Sequence, residues 1–178
     1  MTVPPPRFGR SIYIQDHTGG ILVYLSTEEY PPLVEGDWLR VRGRLTDYHG
    51  EREVRVSRPT DLWRTGAGGP VRPRLIRSGE VSEVREGLLV QVFAPAVRFS
   101  GQSFYLDDGS GEARVYVRAS TGFRRPYIHL GEFWSVVGVV SQYVRSAPYE
   151  GGYRLLPRYE TDLSTPPLLL PVTGGIRP

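Results

Sequence analysis

The side chains able to do chemistry are few in this chain, and none sits at a catalytic spacing. There are three histidines, His17, His49 and His129. The first two fall at turn tips and the third in a loop, and none has a partner at metal-ligand spacing such as HxxxH. Cysteine and lysine are absent, and all 22 basic side chains are arginine. Nucleophiles are therefore limited to hydroxyls and carboxylates, and none has a base beside it. Asp107 and Asp108 could hold a cation, but ahead of Gly109, Ser110 and Gly111 they read as turn residues. No glycine-rich loop precedes a helix, so phosphate cradling of that kind is not indicated. The expectation is a protein with no enzymatic activity, no catalytic residue, no metal ligand and no cofactor.

What the chain must position is instead a repeated hairpin. Residues 104–116 (FYLDDGSGEARVY) read as two strands joined by a tight turn, with Gly109 and Gly111 able to take positive φ. Ala113, Val115 and Val117 alternate with Arg114, Tyr116 and Arg118, the period of a strand with one buried face. The same unit stands at residues 12–24 (IYIQDHTGGILVY), pairing Tyr13 with Tyr105, Asp16 with Asp108 and Tyr24 with Tyr116. Residues 36–48 match 131–143 without a gap, and 60–62 match 161–163. The chain thus reads as two copies of one module.

Composition agrees with a β-rich chain. Sixteen prolines and 21 glycines stand in short clusters, and no long segment repeats apolar residues at helical spacing. Strands are expected at 11–15, 21–26, 38–48 and 53–57, then at 87–97, 133–144 and 153–159. Residues 63–79 are rich in Gly, Pro and Arg and read as a linker. The expected organisation is a first unit over 1–62, the linker over 63–79, a second unit over 80–163 and an extended apolar tail over 164–178. Aligning MTVPPPRF with FAPAVRF leaves the first copy without most of its first strand. No apolar run is long enough to cross a bilayer, and no signal peptide stands at Met1. The chain is expected to be cytosolic or a processed piece of a longer protein. An arginine-only, asparagine-free composition fits a GC-rich genome or the hot habitat of a thermophile.

The segments FYLDDGSGEARVYV, GEFWSVVGVV, IYIQDHTGGILVYL and GDWLRVRGRL resemble tandem OB-fold repeats of bacterial surface and secreted proteins, often found beside nuclease or lamin-tail domains. The resemblance covers about residues 7–163. It implies an all-β fold of two tandem OB-fold-like, five-stranded Greek-key barrels. It also implies single-stranded nucleic acid as a partner, since such barrels stack bases on aromatics in a basic groove. The residues that would serve are Arg114, Tyr116 and Arg118 in the second copy and Arg40, Arg42, Arg44 and Tyr48 in the first. Against this, the first copy has Leu22, Tyr24 and Ser26 where the second has its basic stripe. The second has Ser135, Val137 and Val139 where the first has its arginine row. Carbohydrate binding by a barrel face is a third reading.

The tail carries LPVTG at residues 170–174, which resembles the LPxTG signal of sortase-anchored surface proteins. An incomplete first barrel would expose unpaired backbone, and an apolar tail could repair it in a neighbour. The leading expectation is therefore a structural, extracellular or cell-surface protein that polymerises with itself, head to tail, into a filament. Its contacts would be Leu168, Leu169, Leu170, Pro171, Val172 and Thr173 of the tail and Val3 and Phe8 of the acceptor. The alternative is a single-strand nucleic-acid-binding module serving a nuclease.

Overall fold

A computed structural model of the chain describes residues 2–3, 8–27 and 30–166. Among them the protein is all-β, with short 3-10 turns and no α-helix. The first half holds β1 (Thr2–Val3), β2 (Ser11–Gln15), β3 (Gly20–Leu25), β4 (Asp37–Val41), β5 (Arg44–Tyr48), β6 (Glu51–Val56) and β7 (Leu62–Ala67). The second holds β8 (Arg74–Ile76), β9 (Leu89–Ser100), β10 (Ser103–Leu106), β11 (Ala113–Tyr116), β12 (Phe133–Gln142), β13 (Tyr153–Leu156) and β14 (Leu163–Ser164).

Both repeated hairpins form where the sequence places them. β2 pairs antiparallel with β3, and β10 with β11. Their turns are tied by equivalent aspartates. Asp16 accepts hydrogen bonds from the Thr18 backbone at 2.7 Å and hydroxyl at 2.6 Å. Asp108 accepts from the Ser110 backbone at 3.1 Å and from the Ser78 hydroxyl at 2.8 Å. Asp107 accepts from the backbone of Gly109 and Gly111. These carboxylates are engaged in turn chemistry.

The halves share one order of pairing. β3 runs parallel to β6, as β11 does to β13. Arg40 opposite Trp63 and Val41 opposite Leu62 repeat Ser135 opposite Ser164 and Val136 opposite Leu163. In the second half the pairing runs from β9 through β10, β11, β13 and β12 and returns to β9. Among the described residues of the first half, β1, β2, β3, β6 and β5 form one sheet and β4 and β7 form another, with β1 in contact with β4.

Three local expectations differ from what is observed. The long strand expected over 38–48 is broken at Arg42 and Gly43 into β4 and β5. A Cβ at Gly43 would lie 2.5 Å from the Arg55 carbonyl, so the chain there passes too close to β6 for a side chain. Residues 63–79, expected as a linker, hold most of β7 and all of β8, and β8 adds in parallel to β9. Finally, Thr2 and Val3 pair with Ile14 and Tyr13. The short β1 therefore sits nearer the hairpin than the alignment of MTVPPPRF with FAPAVRF implies.

Alternation divides the side chains between two environments. Val23, Leu25 and Val56 fill the core of the first half, and Val115, Leu155 and Val136 that of the second. The opposite faces meet between the halves. There Phe8, Tyr13 and Leu22 pack with Val71, Leu89, Val139 and Leu156. Burial of each such side chain contributes about 1.5–3 kcal/mol. Glycines let the backbones touch: a Cβ on Gly20 would lie 2.2 Å from the Gly87 carbonyl carbon. Polar contacts seal the junction, with Gln15 accepting from the Leu89 backbone at 2.7 Å and Val144 donating to the His49 carbonyl at 2.8 Å.

Candidate nucleic-acid interface

Beside that junction opens a cleft of about 590 Å³. Its walls follow from strand alternation. On β3, Tyr24 points away from the first core, and on β11, Tyr116 points away from the second. The ends of β5 and β12 bring in Tyr48 and Tyr143. These four tyrosines form two pairs of repeat equivalents, Tyr24 with Tyr116 and Tyr48 with Tyr143, and all four line one cleft. Duplication thus supplies the same ring twice, from opposite walls.

Arginines interleave with the rings. The Arg154 guanidinium lies 5.0 Å from the Tyr116 ring centre and 5.1 Å from that of Tyr143. Arg55 lies 5.2 Å from Tyr24, Arg114 5.5 Å from Tyr116, and Arg118 5.6 Å from Phe8. Such contacts hold the guanidinium planes over aromatic faces. The Nε of Arg154 is buried with no hydrogen-bond partner, and burial lowers the pKa of this side chain. A buried cation with an unmatched donor is poised for an anion.

Two carboxylates share the floor. Glu53 is held by Arg55 at 2.9 Å and by the Thr46 hydroxyl at 3.2 Å. Glu51 accepts from the Tyr13 hydroxyl at 2.8 Å and from Ser141 at 3.1 Å, across the two halves. Burial, with help from the charge of Glu86, pushes Glu51 up to about 7. Near neutral pH it is partly protonated, which softens its repulsion of an anionic ligand.

The residues expected from sequence divide here. Tyr48, Tyr116 and Arg118 line the cleft. Arg114 shares that face, its Nε donating to the Ser103 hydroxyl at 3.0 Å. Of the arginine row, Arg40 and Arg42 lie elsewhere. Arg40 lines a separate hollow of about 300 Å³ with Trp63 and Thr65. Arg42 stands 3.5 Å from Asp61, and Arg44 pairs across strands with Arg55. The break at Gly43 separates Arg40 and Arg42 from Arg44, which lies opposite Arg55 on the face of β5 that carries Tyr48. Of the expected assembly contacts, Phe8 is buried in the junction, edge-on to Tyr13 at 5.8 Å. Val3 contributes backbone to β1, and Leu168, Leu169, Leu170, Pro171, Val172 and Thr173 lie outside the described residues.

Sequence reasoning missed Arg154, Arg55 and the two glutamates. A lone charge on a strand looks like a solvated face, and no spacing rule marks it as facing another module. The repeat pairing of tyrosines was the one usable signal. Among the described residues no group of three or more His, Cys, Asp or Glu could hold a metal ion. No helix among the described residues is long and apolar enough to cross a membrane.

No family model matches the chain. Endonuclease YhcR of Bacillus subtilis (strain 168) is 29% identical to it over 166 residues, 86% of this chain and 13% of that protein. The chain therefore spans a small part of the length of the curated relative it resembles.

Proposed function

We propose that this chain is a non-enzymatic module of two OB-like barrels that holds single-stranded nucleic acid in the cleft between them, as an accessory to a nuclease. One observation carries the reading: four tyrosines and at least three arginines converge on a single cleft. Bases stack on the rings and phosphates pair with the guanidinium groups, with little preference for sequence. The similarity to a protein named as an endonuclease supports the class of partner. The test is titration of the full chain with a labelled single-stranded oligonucleotide, read by fluorescence anisotropy. Tyr116→Ala and Arg118→Ala should each weaken binding about tenfold, in line with about 1–3 kcal/mol per stacked base. Arg40→Ala, outside the cleft, should leave it unchanged. Equal affinity for all variants, or no binding by the native chain, sinks the reading.

A second reading is a structural, extracellular polymer built head to tail. It is favoured by one feature: among the described residues β4 pairs with β7 and is approached by the two-residue β1, where β12 pairs with β9, β13 and β14. A less fully paired strand can accept a strand from another chain.

A further inference from the structure

Glu51 is held by both halves at once. It begins β6, on the floor of the tyrosine cleft, and is 6% exposed. Tyr13 of β2 donates to one carboxyl oxygen at 2.8 Å, and Ser141 of β12 donates to the other at 3.1 Å. Both partners are neutral hydroxyls, and among the described residues no cation is hydrogen-bonded to it. Glu53, two residues on, is different, because Arg55 bonds it twice. A carboxylate buried without a bonded cation favours its protonated form, since burial penalises the charge. Either hydroxyl can turn to accept that proton, so the neutral acid leaves no bond unmet.

The charges around Glu51 come from several elements. Arg154 of β13 attracts it, and Glu86, in the turn before β9, repels it. Glu53 lies on the same strand, already paired with Arg55. Arg118 acts on the Tyr13 hydroxyl. Tyr48 lies opposite on β5, and His49 is engaged elsewhere, its Nδ1 donating to the Val144 carbonyl at 2.8 Å. Of these, Arg154 is the charge that a ligand would also use. Its Nε has no partner, and its guanidinium stands over the rings of Tyr116 and Tyr143 in the cleft. An ionised Glu51 and a bound phosphate would therefore compete for one cation and repel each other in a partly buried site. We infer that the cleft binds its strand together with a proton, that the proton resides on Glu51, and that the strand is held less tightly once Glu51 ionises. The inference rests on the reading of the cleft as a nucleic-acid site and adds control by pH. Burial pushes the Glu51 carboxyl up to about 7 in the free protein, and a phosphate nearby pushes it further the same way. A group that holds its proton more tightly in the complex favours binding at low pH. That gain is lost as pH rises through the free and then the bound value.

The test is the affinity of the full chain for a labelled single strand of about twelve deoxyadenosines, at constant ionic strength. Affinity should be level below about pH 6 and fall about tenfold by about pH 9, as a one-unit move in the titration of one carboxyl gives. Glu51→Gln has the shape of the protonated acid and no charge. It should bind at the high pH as tightly as the native chain does at the low one. A flat native profile, or a Glu51→Gln profile that still falls, overturns the inference and leaves nucleic-acid binding standing. No binding at any pH overturns the reading of the cleft, and this inference with it. A second measure needs no variant. The carbon-13 resonance of the Glu51 carboxyl should titrate about one pH unit higher with the strand bound than without it. An unmoved titration also overturns the inference.

Discussion

Glu51 is the residue whose environment departs furthest from its sequence context. Flanked by Gly50 and Arg52, it reads as a solvated turn residue, yet it is buried and accepts two hydroxyls from opposite halves. With its folded pKa near 7 and an unfolded value near 4.5, the native state binds the proton more tightly. Its stabilising contribution is complete below about pH 4.5 and is lost as pH rises through about 7, an effect on the order of 3 kcal/mol. Glu51→Gln should therefore flatten the fall in stability between pH 5 and 8 in urea unfolding. A variant with the native slope would show that Glu51 is not the group responsible. Tyr116 and Arg118 were legible because their alternation with Val115 and Val117 marks one strand face. Arg154 was not, because its neighbours on that face come from residues far away in sequence.

At the scale of elements, the hairpins were readable and the long strands were not. β2–β3 and β10–β11 are local, with their aspartate-held turns written in consecutive residues. The break between β4 and β5 depends on how closely β6 passes Gly43, a contact no local pattern carries. The approach of β3 to the turn before β9 is similar. Gly20 and Gly87 meet backbone to backbone, and Gly87 donates to the Val140 carbonyl at 2.8 Å. Gly20→Ala has no space for its methyl unless the halves move apart. It should cost about 1–3 kcal/mol in chemical denaturation, as overpacking does, and weaken oligonucleotide binding at the cleft. Native stability in this variant would contradict the close docking of the halves.

At the scale of the whole molecule, a net charge of +3 conceals a concentration of arginine at one cleft. Binding there should depend steeply on salt, because each neutralised phosphate releases counterions. With two or three phosphates engaged, the slope of log K against log salt for a single strand should be about −1.4 to −2.1. It should be shallower by about 0.7 in Arg118→Ala. A salt-independent affinity would point to a neutral ligand. The sequence by itself determined the all-β class, the repeated pattern and both hairpins. All of these are carried by residue type and short-range periodicity, which a linear pattern records. Tertiary structure alone decided which faces meet. The four tyrosines share one cleft, Phe8 is buried and Arg40 lies outside that cleft because of how two similar halves dock. That docking is set by shape, close backbone approach and burial between distant segments, and local patterning does not encode those.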